Sequence, residues 1–593
     1  MSLPSRDDID EQYRFDLTHI FATPAEWDDA EATLRERLAA LESRSAEELR
    51  SVDDLRGLLE LTAECHRRKQ RLELYAMLSA NVDTESDAAA TRQRRVRDLE
   101  SAFEPTVAAV RRRLGETDDR RLDDLVDSLE GYRRYAESLR QQAAHVREPA
   151  VERVIADHGE VRSAPTRILR AIKTDDFDPP TVERPDGETV AVRPGNRRSE
   201  LSHPDRDYRR RVYDAYWAEF DRFEGTYARS YAEKLSAAAT DAAVRNYASV
   251  RDRDLRGTYP ESGLEPAIPG TVHETLLEAI RSTLDPFHRA QRRRRDRLDV
   301  DSLRPWDLDV SIADPPAPEI PYEDARDHIL AALAPLGEEY VDRARSFFEQ
   351  RRIDVFPTQD KRTDIPAYCP SSAADGAFVL ANYRGDVRTM FFLCHELGHA
   401  LNVSFHREGA TPYATCPTPV SEVPSILHEL LLVDHCLEVG GPLAAHARNR
   451  FLECIGGNLF DGTMHSAFAH RLVTAIESGE ALTAARIREA YATLLAEFRP
   501  IVDYGDRAGR NWLGTGLREP YSSYQYVLGA TGALVVRDRL RDGTLDPGTY
   551  HAFLRNTGRE PPIDLFDRLG APVATPEPYE RAATAFDEYL ERV

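Results

Sequence analysis

Lysine, long apolar runs and closely spaced cysteine pairs are what this chain has least of. Its only lysines are Lys69, Lys173, Lys234 and Lys361, and arginine makes up the rest of its 79 basic residues. Against these stand 103 Asp and Glu, a formal net charge of −24 over 593 residues. Such a surplus repels backbone phosphates and excludes a nucleic-acid groove as the main function. Acidic excess joined to lysine scarcity is the composition of a halophile, whose surface stays hydrated in concentrated salt; a GC-rich genome that prefers Arg codons also depletes lysine. No apolar run approaches the roughly 20 residues that cross a bilayer, and the mean hydropathy is −0.54. The opening Met1-Ser2-Leu3-Pro4-Ser5-Arg6-Asp7-Asp8 lacks the basic-then-apolar layout of a signal peptide. A cytoplasmic protein without a membrane partner is expected. Six cysteines (Cys65, Cys369, Cys394, Cys416, Cys436 and Cys454) are irregularly spaced and form no C-x-x-C. Reduced, buried thiols are expected of them rather than disulfides.

What is present is mostly helix. Trp27–Leu41, Leu55–Leu78 and Ala88–Leu114 carry apolar residues three and four apart in an Ala-, Leu-, Glu- and Arg-rich background. Helical pattern returns over Asp205–Ala248, Val272–Leu298 and Tyr322–Gln350. The run Arg292–Arg295 reads as a solvated helix face. Two β-prone runs flanking Asp186-Gly187 predict a small hairpin within 181–192. The Pro-rich stretch Asp314-Pro315-Pro316-Ala317-Pro318 is a connector. Phe378–Tyr383 is the best strand candidate in the block that follows. The fold class is mainly α, with a small β element beside the active site.

His395-Glu396-Leu397-Gly398-His399 reads as H-E-x-x-H at the end of the apolar run Met390–Cys394. Four residues apart on a helix, the two imidazoles face the same way and can share one metal ion. Glu396, beside the first ligand, can take a proton from water at that metal. A catalytic zinc needs a third protein ligand, and the downstream candidate is Glu422, which opens the apolar helical run that includes Val423, Pro424 and Ile426–Val433. Pro424 then falls in a first turn, where its missing N–H costs little. Seven residues on, Glu429 shares a face with Glu422 and can orient a ligand imidazole. His406, His428 and His435 read as packing or surface residues.

His-Glu-Leu-Gly-His followed by Ser421-Glu422-Val423-Pro424-Ser425 and a second Glu resembles the thimet-oligopeptidase family of zinc metallopeptidases, and within it the oligoendopeptidase F branch. The likeness spans nearly the whole chain. Tyr13–Leu17 and Ile20-Phe21 are similar to the branch's opening. Leu336–Tyr340, Ile353-Asp354 and Lys361-Arg362 are similar to the segment before its active site, and Ile563–Leu565 and Gly570–Pro572 to its closing region. The resemblance implies a helical bowl with a deep central channel that admits short peptides and excludes folded proteins. It implies an N-terminal helical region over 1–110, an oligoendopeptidase F-like domain over 111–200 and a catalytic domain over 201–593. One Zn²⁺ per chain would be held by His395, His399 and Glu422, with Glu396 as general base. Phe378–Tyr383 would be the edge on which a substrate peptide pairs. Tyr524 and Tyr526 fit the branch's oxyanion tyrosines. The implied function is a zinc metalloendopeptidase acting on short oligopeptides.

The chain departs from the branch in places. Alignment on Pro520 puts Gly516 where a His is usual, which removes a donor worth on the order of 3 kcal/mol in the transition state. Ser522 stands in a tyrosine position, Asn402 in a histidine position, and Asp364-Ile365-Pro366 where a glycine is usual. Two other readings share the same residues. Retained Glu396 argues against a peptide binder without turnover, and the Glu-Val-Pro-Ser setting argues against a strict carboxypeptidase. Oligomeric state is not written in the sequence.

Overall fold

In the computed structural model the described residues are 3–128, 138, 141–142, 144–256, 267–312, 317–407, 416–515 and 518–591. The architecture is mainly α, with seven short strands among the described residues. Near the N-terminus the helices Pro24–Ala46, Val52–Val82 and Asp87–Gly115 each begin on a hydroxyl cap: Thr23, Ser51 and Ser86 accept from the main-chain N–H three residues on. Their apolar faces close a core of their own around Trp27, Leu34, Leu58, Leu72 and Phe103. A second, larger core runs from Leu169 to Tyr589. The predicted hairpin is present, with Thr181–Glu183 antiparallel to Thr189–Ala191 and Gly187 at φ +87° in its turn. Each long helical stretch beyond it is two helices. Gly337 (φ +91°) and Pro335 divide Tyr322–Ala332 from Glu338–Glu349.

The strand Val379–Ala381 ties the two cores together. Phe378 and Leu380 belong to the N-terminal core, while Val379 and Ala381 belong to the larger one, as alternation along a strand dictates. It is not the edge expected of Phe378–Tyr383. Ile353–Asp354 pairs with it in parallel on one side and Ala367–Tyr368 antiparallel on the other. Both rows of its main-chain groups are therefore occupied, and the free edge passes to Ala367–Tyr368. Lys361 stitches this sheet: its buried Nζ donates to the carbonyls of Asp354 (3.1 Å), Phe356 (2.9 Å) and Ala381 (2.5 Å) and pairs with Asp354 Oδ1 at 2.8 Å. Asp354 also accepts from Arg6 and from the Phe15 N–H, which fastens the N-terminal segment to the sheet.

The arginine run departs from a uniformly solvated face. Arg292 is exposed and Arg295 pairs with Asp296, but Arg294 is turned inward, donating to the carbonyls of Asp307 and Val310. Helical periodicity puts Arg294 on the same face as buried Phe287 and Gln291. The six cysteines form no disulfide; Cys65, Cys394, Cys436 and Cys454 are buried, and Cys369 and Cys416 are half-buried.

Candidate metal centre

The motif helix spans Val387–His406 and is capped by Asp386, which accepts from the Thr389 N–H at 2.7 Å. The helix carrying Glu422 spans Thr418–Val439. It starts four residues earlier than Glu422, behind Pro417 and Pro419, so Pro424 lies inside the helix and not in its first turn. There it removes one helical hydrogen bond. The two helices touch at Gly398. A Cβ there would come within 2.6 Å of Ser425 Cα and 2.7 Å of the Pro424 carbonyl. This contact brings Glu422 under the two histidines. From the opposite side the helix Ser523–Arg541 packs Gly529 against the Cβ of Glu422, again too closely for any side chain.

Glu422 Oε2 is 3.6 Å from His395 Nε2 and 3.7 Å from His399 Nε2. Ligand atoms of all three residues lie within 4.8 Å of one another, and no other group of three or more His, Cys, Asp or Glu does so among the described residues. Ser425 Oγ donates to Glu422 Oε2 at 2.9 Å and orients the carboxylate. Glu429 Oε1 sits 2.9 Å from His395 Nδ1, and Glu429 Oε2 accepts from Arg450 at 2.9 Å. In the neutral ring that contact makes Nδ1 the protonated nitrogen and leaves Nε2, once its own proton is displaced, with a lone pair toward the centre. Burial alone would raise the Glu429 carboxyl, but Arg450 and His395 outweigh it and hold it at about 2. Burial would lower His395, yet Glu429 carries it to about 9; at His399 burial outweighs Glu422 and the Ser421 main chain and lowers it to about 4. Glu396 is pushed up to about 7, first by burial, against the lowering effect of His395 and with Glu422 and Glu429 adding like charge.

Glu396, His399 and Glu422 open onto a cavity of about 430 Å³, together with Gln70, Tyr368, Cys369, Ser371, Ser372, Asn402, His406 and Arg407. The sheet edge at Ala367–Tyr368 and the segment after it thus form one wall. The other histidines fall outside the ligand set. His428 is buried between the Cys394 carbonyl (3.0 Å) and the Tyr340 hydroxyl (2.7 Å), and His435 pairs with His328 at 3.0 Å. His406 lies against Thr557 at 3.3 Å.

The two tyrosines part company. Tyr524 is 0% exposed, packed edge-to-face with His273 at 6.1 Å between ring centroids, whereas Tyr526 is 38% exposed. Residues two apart on a helix point in nearly opposite directions, so the pair cannot serve one cavity. Tyr526 shares its helix face with Gly529, three residues on, which contacts Glu422. Gly516 lies outside the described residues. Sequence reasoning missed Arg450, Ser425 as a holder of Glu422, Tyr340 and the two close-contact glycines. Ser425 and Gly398 stood inside a motif and Tyr340 at the end of a segment that carries the resemblance; no local pattern marks Arg450 or Gly529.

Residues 200–585 match the family described as Peptidase family M3, and residues 114–178 match the description Oligopeptidase F. Oligopeptidase PepF of Bacillus subtilis (strain 168) is 25% identical over 100% of this chain and 88% of its own length. Group B oligopeptidase PepB of Streptococcus agalactiae serotype III (strain NEM316) is 26% identical over 99% of this chain and 97% of its own. Among solved structures, a peptidase from Chlamydophila abortus superposes with a TM-score of 0.85 at 20% identity, covering 100% of this chain and 99% of that one. Oligoendopeptidase-F from Enterococcus faecium superposes at 0.71 and 22%, covering 96% and 99%. At those identities the structures speak for the fold, while the sequence family spans well over half the chain. The chain belongs to peptidase family M3, a metallopeptidase family, within its oligoendopeptidase F branch.

Proposed function

We propose that the chain is a zinc metalloendopeptidase that hydrolyses internal bonds of short peptides, one Zn²⁺ being held by His395, His399 and Glu422. The observation that carries this reading is the convergence of those three ligand atoms within 4.8 Å, with Glu396 on the same cavity. Two imidazole nitrogens and a carboxylate oxygen suit zinc among common metals. The donor separations of 3.6 and 3.7 Å compare with edges of roughly 3.3–3.6 Å around a tetrahedral ion bound at about 2.0–2.2 Å. When bound, zinc supplies a Lewis acid that acidifies water and polarises the scissile carbonyl. Glu396 takes the proton released as water attacks and hands it to the leaving amine. A carboxyl near neutrality accepts and returns a proton with little penalty either way, and burial brings Glu396 to about 7 before metal binds.

Ala367–Tyr368 is the strand on which an extended peptide adds main-chain hydrogen bonds. Tyr526 is the tyrosine that donates to the developing oxyanion; Tyr524 holds its helix in place. The catalytic domain is 201–593, preceded by the helical region 1–110 and the oligoendopeptidase F-like domain 111–200. A helical bowl whose channel excludes folded proteins, and a cytoplasmic location without nucleic-acid or membrane partners, belong to the same reading.

The test is Glu396→Gln, assayed beside wild type on an internally quenched peptide with both ends blocked, with metal content measured for each. The expected variant keeps one zinc per chain and loses turnover by about 10²–10⁴-fold. Full activity in the variant would overturn the role of Glu396, and a zinc-loaded wild type inert at low and high salt would overturn the peptidase reading.

A further inference from the structure

A second cavity, of about 320 Å³, lies among the helices Asp285–Arg297, Gly441–Ile455 and Ala484–Phe498. Its wall bears three carboxylates, all engaged. Asp309 pairs with Arg198 at 2.9 Å, Asp461 with Arg499 at 2.5 Å, and Glu453 with Arg450 at 3.5 Å and with Asn449. Its remaining guanidiniums have no such partner. Arg197 lies over the rings of Tyr216 and Trp217, and Arg294 meets only main-chain carbonyls. Arg388 stands close by on the motif helix, over the Phe392 ring, with Arg198, Arg450, Glu453 and Asp309 as its charged neighbours. None of the three has a carboxylate partner among the described residues.

In a chain of net charge −24, three guanidiniums without an ion-paired carboxylate run against the composition, although Asp309 and Glu453 stand near enough to Arg294 and Arg388 to favour their charge. Burial holds both Arg294 and Arg388 below the ordinary guanidinium value, so their charge is carried at a cost. A complementary acceptor lines the same cavity. Gln291, 4% exposed, donates its Nε2 to the Phe498 carbonyl at 2.9 Å, while its Oε1 has no hydrogen-bond partner. A ligand that suits this wall brings an anion and, beside it, an N–H.

We propose that this cavity anchors the C-terminal carboxylate of a peptide substrate, with Arg197, Arg294 and Arg388 meeting the carboxylate and Gln291 Oε1 accepting the terminal amide N–H. This rests on the peptidase reading above. A peptide's last residue has the required pairing of groups, a carboxylate one Cα away from an amide N–H. The position also fits: Arg388 and His395 are seven residues apart on one helix face, which is ~10 Å along the axis, or about three extended residues. The anchor therefore measures the substrate from its C-terminal end, leaving the scissile bond internal. Inorganic anions meet the same guanidiniums, but only one that carries an O–H, such as phosphate, can also donate to Gln291 Oε1.

The experiment compares one fluorescent peptide as free acid and as C-terminal amide. Binding is measured to zinc-loaded Glu396→Gln protein and KM and kcat to wild type, at fixed ionic strength. The free acid is expected to bind about 10–100-fold more tightly, the value of a hydrogen-bonded charge, with kcat unchanged. Arg388→Gln and Arg294→Gln, each placed in the Glu396→Gln background, remove that difference while amide binding stays as it was. Inorganic phosphate weakens binding of the acid only. Equal affinities for acid and amide overturn the anchor, as does a variant that weakens both alike, which marks a purely structural role. Phosphate binding without any acid preference marks a free-anion site and overturns it too. Because the binding arm needs no turnover, an inert wild type counts against the peptidase reading and leaves the anchor to be decided by affinity.

Discussion

At the scale of single residues, the candidate metal centre depends on a chain of partners as much as on the three ligands proposed for it. Glu429 holds His395 and is itself held by Arg450, and every member of that chain is largely buried. Removing one end of a buried ion pair leaves the other charge without compensation, at about 3–5 kcal/mol. Arg450→Met is therefore expected to lower thermal stability and to weaken zinc binding by about 10–100-fold, read by competition with a chromogenic chelator. An unchanged affinity would show that Glu429 orients His395 without help. The two candidate histidine ligands were legible in the sequence because four-residue spacing is a local property of a helix, and Glu422 because it stands in a motif of its own. Arg450 was not, since nothing near it in the chain says that residues 21 positions apart will meet.

Between elements, the decisive contact is the crossing of the motif helix and the Glu422 helix at Gly398. Seen in the sequence, Gly398 is one of the unspecified positions of the motif; seen in the fold, it lies against the main chain of Pro424 and Ser425. Gly398→Ala is expected to force the helices apart, at about 1–3 kcal/mol, and to reduce zinc content together with the melting temperature. A variant that melts and loads zinc like wild type would mean that the crossing has slack. The same scale explains two corrections. Phe378–Tyr383 has the composition of a strand, but its rank in the sheet depends on Ile353–Asp354 and Ala367–Tyr368, segments too short to announce themselves. Tyr524 and Tyr526 look equivalent in a motif, yet helical geometry sends one into the core and the other outward.

For the molecule as a whole, a net charge of −24 sets the response to salt. Exposed ion pairs lose their small individual worth when screened, about 0–1 kcal/mol each, while the repulsion among unpaired acids is relieved. The melting temperature is expected to rise by several degrees from dilute buffer to molar KCl, read by differential scanning calorimetry. A fall would mean that the arginine pairs outweigh the repulsion. At this scale the chain's segments also find their partners. Arg6, Phe15, Asp354 and Lys361, far apart in the sequence, join in one buried cluster that fixes the sheet beside the metal centre. By itself the sequence determined the helical class and the hairpin, which rest on spacing within a few residues, and it named the free cysteines and the candidate metal ligands, which rest on irregular spacing and on two motifs. Only the tertiary structure decided which strand is the edge, which tyrosine faces outward, what holds Glu429 and where the unpaired arginines gather. Those outcomes depend on which distant surfaces pack together, and periodicity along the chain contains no term for that.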